Sequence, residues 1–165
     1  MIKITLPDGS IKEFAKGSTP MDVAKSISEG LARNVISAAF NGTTIETSTE
    51  LTTDGSLILY TWNDKEGKKA FWHSTSHVMA QVLEEKYNGI KLTLGPAIDN
   101  GFYYDVDFGD NKITDADFKA IEDRVLEVSR EKHEFKMRAV SKAEALETYK
   151  DNEYKTELIS NLEDG

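Results

Sequence analysis

An α+β fold in two parts is what the 165 residues predict, on three observations. Short runs of alternating apolar residues separated by turn pairs fill the chain to about residue 62, as a small mixed sheet requires. Helical spacing of apolar residues dominates after it. Hydrophobic residues make up 39% of the chain against only 3 prolines and 11 glycines, which suits packed cores and excludes disordered and fibrous classes. At roughly 100 to 200 residues per domain, the length fits one ordinary domain or two small ones.

Ile2, Ile4 and Leu6 alternate ahead of Pro7-Asp8-Gly9-Ser10, and Ile11 and Phe14 follow, which predicts a hairpin. Thr19 can accept from the orphan amides of a helix with Pro20 at its first position and Val23, Ala24 and Ile27 on one face; Gly30 is the expected stop. Strands are expected at Val35 to Phe40, Thr43 to Ile45 and Ser56 to Thr61, with Asn41-Gly42 and Asp54-Gly55 as turns. A mixed sheet wrapped over one helix, the β-grasp or ubiquitin-like arrangement, is the simplest way to bury that helix in about sixty residues. Residues 1–62 are therefore taken as the first domain and 63–165 as the second, with polar Asn63 to Lys69 expected to be a linker.

In the second domain a helix is expected over Phe71 to Tyr87, carrying Trp72, Val78, Met79, Val82 and Leu83 and ended by Gly89. Strands are expected within Leu92 to Phe108, with turns at Gly95-Pro96 and Asn100-Gly101. Thr114 and Asp117 open a second helix, whose Phe118, Ile121, Val125 and Val128 should pack on those strands. A short strand near Phe135 to Val140 precedes Ser141, which with Glu144 forms an expected capping box for a helix to about Lys150; helix resumes near Glu157.

The net charge of −9 disfavours gripping nucleic acid by bulk electrostatics and leaves room for a local patch. Through Trp62 there are 5 basic and 7 acidic residues, and 15 and 22 after it, so neither part is basic. With no cysteine, disulfide frameworks and thiol or cysteine–zinc chemistry are excluded. No stretch approaches the roughly 18 apolar residues of a membrane span, and the first residues lack a signal-peptide pattern, so the cytoplasm is the expected address.

His73 and His77 are the sharpest local feature, since a spacing of four on a helix puts both imidazoles on one face. Ser74, Thr75 and Ser76 lie between them, without the glutamate of a His-Glu-x-x-His protease. The only other histidine is His133, so no metal site is expected. Two readings of the pair stand: a polar helix face, or a site in which two imidazoles share one ligand. Gly95-Pro96 and Asn100-Gly101 read first as hairpin turns, with a pocket wall of approachable backbone amides as the alternative. Of Tyr103 and Tyr104, alternation buries one ring and exposes the other, where it could stack on a base. Arg130, Lys132, Lys136, Arg138 and Lys142, interrupted by Glu131 and Glu134, form either a solvated face or a contact for RNA.

Together these features resemble the amino-terminal region of bacterial threonyl-tRNA synthetases over the whole chain. The matching residues are Ile4-Thr5-Leu6-Pro7-Asp8-Gly9-Ser10, Pro20-Met21-Asp22-Val23-Ala24, Asn41-Gly42, the His73 to His77 helix, and the run from Gly95-Pro96-Ala97-Ile98-Asp99-Asn100-Gly101 through Phe102-Tyr103-Tyr104-Asp105. The resemblance implies a TGS domain, a β-grasp module shared with GTPases and stringent-response enzymes, followed by the front of an editing domain that hydrolyses mischarged seryl-tRNA. It carries catalytic roles to His73, His77 and the lysine of Tyr154-Lys155, and a substrate pocket to Gly95, Asp99 and Tyr104. It also implies contact with the acceptor end of tRNA. The family's second editing motif, Cys-Arg-Gly-Pro-His, would lie beyond Gly165, as would the aminoacylation core with its ATP, magnesium and zinc. The chain is thus expected to be a piece of a longer synthetase, itself monomeric, from a parent that dimerises. The competing expectation is a non-catalytic module that binds tRNA or a regulatory partner.

Overall fold

The computed structural model describes residues 1–133, 135–136 and 138–163. The chain divides into two compact units, Met1–Trp72 and His73–Gly165. The division falls inside a helix.

In the first unit, β1 (Ile2–Thr5) and β2 (Ile11–Phe14) form an antiparallel hairpin, with Ile2 opposite Phe14. Two short helices follow, α1 (Pro20–Ile27) and α2 (Glu29–Asn34), then β3 (Val35–Phe40), β4 (Thr43–Ile45) and β5 (Gly55–Thr61). The sheet order is β2-β1-β5-β3-β4, with β5 parallel to β1 and antiparallel to β3, so the first and last strands meet at the centre. Alternation sends Ile2, Ile4 and Leu57 to the face that α1 covers with Val23, and Ala38 and Leu51 complete this core. Gly55 is required where β5 begins, because a Cβ there would lie 2.4 Å from the Phe40 ring.

Thr19 caps α1 as its sequence implies: its Oγ1 accepts from the Asp22 amide at 3.2 Å, and Asp22 Oδ2 accepts from the Thr19 amide at 3.0 Å. Gly30 does not end the helix. Ser28 does, because its extended backbone breaks the turn while its hydroxyl accepts from Leu31 N at 3.0 Å and starts α2, which contains Gly30.

The expected linker at Asn63 to Lys69 is mostly helix. α3 runs over Lys65–Lys86, longer at its start than the apolar spacing from Phe71 indicates. The Asp64 carboxylate accepts from Thr61 N at 2.7 Å and from Thr61 Oγ1 at 3.0 Å, turning the end of β5 into the helix. Gly67 lets the helix pass close to the strand, since a Cβ there would meet the Thr61 carbonyl oxygen at 1.9 Å.

In the second unit α3 continues to Lys86 and is followed by four two-residue strands, β6 (Lys91–Leu92), β7 (Ala97–Ile98), β8 (Gly101–Phe102) and β9 (Val106–Asp107). They do not make one sheet. β6 pairs with β9, and the β7–β8 hairpin sits between them in sequence as a separate ribbon. α4 (Asp115–Glu131) supplies Ile121 and Val128 to a core with Val82, Leu83 and Tyr87 of α3 and its C-terminal flank, and Val106 and Phe108 pack against it. α5 (Lys142–Thr148) and α6 (Glu153–Ser160) complete the unit.

Three further expectations differ from what is found. Among the described residues of 135–140 there is no strand, and Met137 lies outside the described residues. At α5 only half of the capping box forms: Ser141 Oγ accepts from Glu144 N, but the Glu144 carboxylate pairs with Arg138 at 2.8 Å. The last helix begins at Glu153 rather than near Glu157, because the Asn152 side chain accepts from Lys155 N and caps it early.

The alternation along β5 gives a direct test. Leu57 is fully buried and Ile58 is 41% exposed. Leu57→Ala is expected to destabilise the first unit by about 2–5 kcal/mol, and Ile58→Ala by roughly 1 kcal/mol or less. Urea midpoints of the two variants check the difference; equal losses would contradict the register.

Candidate functional site

A helix facing two chain turns and the start of a second helix brings most of the expected site residues together in the second unit. On α3, His73 and His77 are one turn apart, and their Nε2 atoms lie 3.0 Å from each other with the rings nearly perpendicular. At that distance one ring donates and the other accepts, the direction being set by the tautomers of the two rings. Both side chains are exposed on one side.

Ser76, between them, is fully buried. Its hydroxyl lies 2.7 Å from the His73 carbonyl oxygen and 2.9 Å from that of Gly95, so its proton ties the helix to the segment ahead of β7. Gly95 permits that approach. A Cβ there would stand 2.2 Å from the Tyr104 ring and 3.1 Å from Ser76 Oγ, so the aromatic face lies flat against a bare backbone. The need is for space, since Gly95 has no left-handed φ.

Tyr104 is half-buried while Tyr103 is 51% exposed, as alternation predicts. Burial, with Glu84 and Tyr149 adding to it, pushes the Tyr104 hydroxyl above its ordinary pKa and keeps it a neutral donor. Behind it, Met79, Leu83, Tyr104, Val106, Phe108 and Phe118 are among the side chains that line an apolar cavity of about 300 Å³.

Lys155 sits on α6 with its ammonium 4.5 Å from the Tyr149 ring centroid. Its position is held by the start of that helix. Asn152 caps α6 and donates to the Leu92 carbonyl at 2.9 Å, Glu153 pairs with Lys91, and the Tyr154 hydroxyl donates to Asp107 Oδ2 at 2.9 Å. Three consecutive residues thereby anchor the helix to the β6–β9 ribbon. The Lys155 charge reaches His77: the imidazole is held below its ordinary pKa first by desolvation, then by His73, then by Lys155. His77 is a neutral imidazole near pH 7.

Asp99 is not part of this cluster. It occupies the exposed tip of the β7–β8 hairpin, with no hydrogen bond or ion pair to the histidines, Lys155 or Tyr104 among the described residues. Also among the described residues, no three His, Cys, Asp or Glu side chains converge as metal ligands, and no helix is long and apolar enough to cross a membrane. The basic run is partly consumed: Arg138 pairs with Glu144, and Lys142 donates to the Leu162 carbonyl.

A neutral His77 imidazole in contact with His73, a nearby ammonium and a tight backbone wall suit the polarisation of a water or ester carbonyl in a small polar substrate. The β-grasp unit has a family of its own, for residues 2–61 match the model of the TGS domain. Residues 2–61 are a TGS domain. This TGS domain is followed, before the unit division at Trp72, by the start of α3. Over all 165 residues the chain is 84% identical to a threonine--tRNA ligase of Flavobacterium psychrophilum, 82% to that of Flavobacterium johnsoniae, and 52% over 167 aligned positions to that of Parabacteroides distasonis. In each case the whole chain is matched and spans 26% of the relative's length, the TGS domain included.

Sequence reasoning missed Ser76, Tyr149, Asn152 and Tyr154 as supports of the cluster. Ser76 left a readable signal, a small polar residue at the buried position between two histidines. The others act across long sequence distances and left none.

NMR titration tests the electrostatics. The His77 ring is expected to titrate below the ordinary 6.5, and Lys155→Met to raise that midpoint. Because the folded pKa is depressed, the unfolded chain takes up the proton first, so this group's contribution to stability is lost as pH falls from about 6.5 through the folded midpoint. A midpoint at or above 6.5, or one indifferent to Lys155, would contradict the arrangement.

Proposed function

We propose that the second unit is the front of a proofreading site that hydrolyses seryl-tRNA mischarged by a threonine--tRNA ligase of which this chain is the amino-terminal part. The observation that carries the reading is the His73–His77 pair, with Nε2 atoms 3.0 Å apart, whose His77 ring feels the charge of Lys155, together with the wall of Gly95 and Tyr104. Similarity over the whole of this chain to the corresponding quarter of threonine--tRNA ligases supports the choice of substrate.

The chemical need is plain. Threonine and serine differ by one methyl group, worth roughly 1–3 kcal/mol in a binding pocket, so recognition alone leaves serine attached to the tRNA too often. A second site that admits serine and has no room for the extra methyl corrects the error. In this reading the Tyr104 ring packed on the Gly95 backbone forms one wall of that site.

In the proposed reaction His73 hydrogen-bonds near the terminal ribose and positions a water at the seryl carbonyl, and neutral His77 orients it and takes up its proton. The water oxygen adds to the carbonyl carbon, Lys155 stabilises the oxyanion, and the carbon–oxygen bond to the ribose breaks. The ribose oxygen regains a proton, giving free serine and uncharged tRNA. Lys155 can do this because Asn152, Glu153 and Tyr154 hold the first turn of its helix. Asp99 has no part in the chemistry at its present position.

ATP, magnesium and zinc belong, in this reading, to an aminoacylation core elsewhere in the ligase. The reaction takes place in the cytoplasm on the acceptor end of tRNA. The chain by itself is monomeric.

Hydrolysis of seryl-tRNA for threonine, followed in this chain and in a full-length ligase carrying it, tests the proposal. His73→Ala is expected to slow the full-length reaction by about 10²- to 10⁴-fold, the usual contribution of a positioned acid–base group. The rate should also fall as the pH drops through the depressed His77 titration. Unchanged hydrolysis in His73→Ala would end the proposal.

A further inference from the structure

The cap of α6 fixes where Lys155 leaves the backbone and leaves free where its ammonium comes to rest. A lysine carries its charge on a flexible four-carbon stem, so a second contact has to choose the position. In a chain with 29 Asp and Glu residues the ordinary holder of such a group is a carboxylate. Other lysines of the second unit use one: Lys86 pairs with Asp117, Lys91 with Glu153 and Lys150 with Glu147. Among the described residues Lys155 pairs with none. Its ammonium rests over the face of Tyr149, 4.5 Å from the ring centroid, while Glu153 on the same helix is committed to Lys91.

A ring in place of a carboxylate has a chemical consequence. A carboxylate would hold the ammonium and also cancel its charge, so a developing oxyanion would have to compete for it. The ring attracts the cation through the negative face of its quadrupole and has no net charge of its own. The position is fixed and the charge stays whole. In agreement, Lys155 still acts on His77, where it is the third influence after desolvation and His73 in holding the imidazole below its ordinary pKa.

Local structure sets Tyr149 in place. It caps the end of α5, its amide donating to the Ala145 carbonyl at 3.1 Å, and its own carbonyl accepts from Asn152 N at 2.9 Å. Asn152 in turn caps α6, so one short turn joins the ring to the helix that carries the lysine. Tyr149 also acts on the Tyr104 hydroxyl, and so stands near both the charge and the wall of the site. It is 40% exposed, and among the described residues its hydroxyl has no hydrogen-bond partner. The ring face is what the residue contributes.

We propose that Tyr149 is a positioning residue, whose ring face holds the Lys155 ammonium at the site with its charge uncancelled and which acts on the seryl ester only through that lysine. The catalytic consequence rests on the hydrolase reading above; the contact and its effect on His77 are read without hydrolysis.

NMR of this chain and of Tyr149→Phe, Tyr149→Leu, Lys155→Met and the Tyr149→Leu/Lys155→Met double variant tests the contact. The Lys155 ε-methylene protons, lying over a ring face, are expected upfield in the unaltered chain and in Tyr149→Phe, and at the position of a free lysine in Tyr149→Leu. The His77 midpoint should rise in Tyr149→Leu and hold in Tyr149→Phe. With Lys155→Met already present, Tyr149→Leu should move it no further, which a ring that merely shields His77 would not satisfy. In a full-length ligase carrying the chain, kcat for seryl-tRNA hydrolysis should fall about 2- to 5-fold in Tyr149→Leu with KM little changed, and Tyr149→Phe should restore it. The inference is overturned by ε-methylene protons indifferent to the ring, by Tyr149→Phe behaving as Tyr149→Leu does, or by a His77 response to Tyr149→Leu that persists without Lys155. An intact NMR pattern in a ligase that does not cleave seryl-tRNA would remove the hydrolase reading and leave Tyr149 as the holder of the charge. Cleavage with kcat unchanged in Tyr149→Leu would remove the positioning role and leave the hydrolase reading.

Discussion

The bare backbone at Gly95 is the constraint on which the candidate site depends. Only there can the Tyr104 ring lie on the chain while the carbonyl of the same residue receives the buried Ser76 hydroxyl. That hydroxyl sits between the two histidines of α3, so the contact fixes the wall of the pocket relative to the imidazoles without using either of them. Without the Gly95 carbonyl the hydroxyl would keep only the His73 carbonyl of its own helix, and the tie between helix and wall would be lost; a side chain at position 95 would displace both the ring and the hydroxyl. Among the described residues of the second unit the strands form two-residue ribbons rather than a broad sheet that would impose this geometry. Packing of single groups does the positioning.

Electrostatics then decides what the positioned groups can do. Partial desolvation and two neighbouring basic groups keep His77 neutral, and a neutral imidazole can accept a proton from water where an imidazolium cannot. Lys155 supplies positive charge to a chain that is acidic as a whole, and its helix is held by Asn152, Glu153 and Tyr154 to the β6–β9 ribbon. The first unit is held differently. Its core is one continuous set of apolar side chains between sheet and α1, and an aromatic cluster with Lys68 lies just after β5.

The β-grasp unit was the more legible in the sequence because its interactions are periodic. Alternation at Ile2, Ile4 and Leu6, the turn pairs, and the Thr19-Pro20 start each have a short-range signature, and β3 and β4 begin and end where it puts them. Breaks made by side chains were not legible: Ser28 rather than Gly30 divides α1 from α2, and Asp64 with Gly67 turns an apparent linker into the first turns of α3. In the second unit the His73–His77 spacing was visible and its meaning was not, since spacing does not tell a polar face from a site. Lys155 carries no local signal; only the resemblance points to it, and its coupling to His77 comes from a fold that joins residues distant in sequence. Asp99 was named the same way, and the hairpin carries it to an exposed tip.

The most direct test of the central claim is an NMR titration of the chain with 3′-seryl adenosine in which an amide replaces the ester, so that the ligand binds without being cleaved. The account predicts that resonances of His73, His77, Gly95, Tyr104 and Lys155 shift together, and that the threonyl analogue, with one more methyl group, shifts them far less at equal concentration. Shifts confined to other residues, or equal responses to the two analogues, would contradict it.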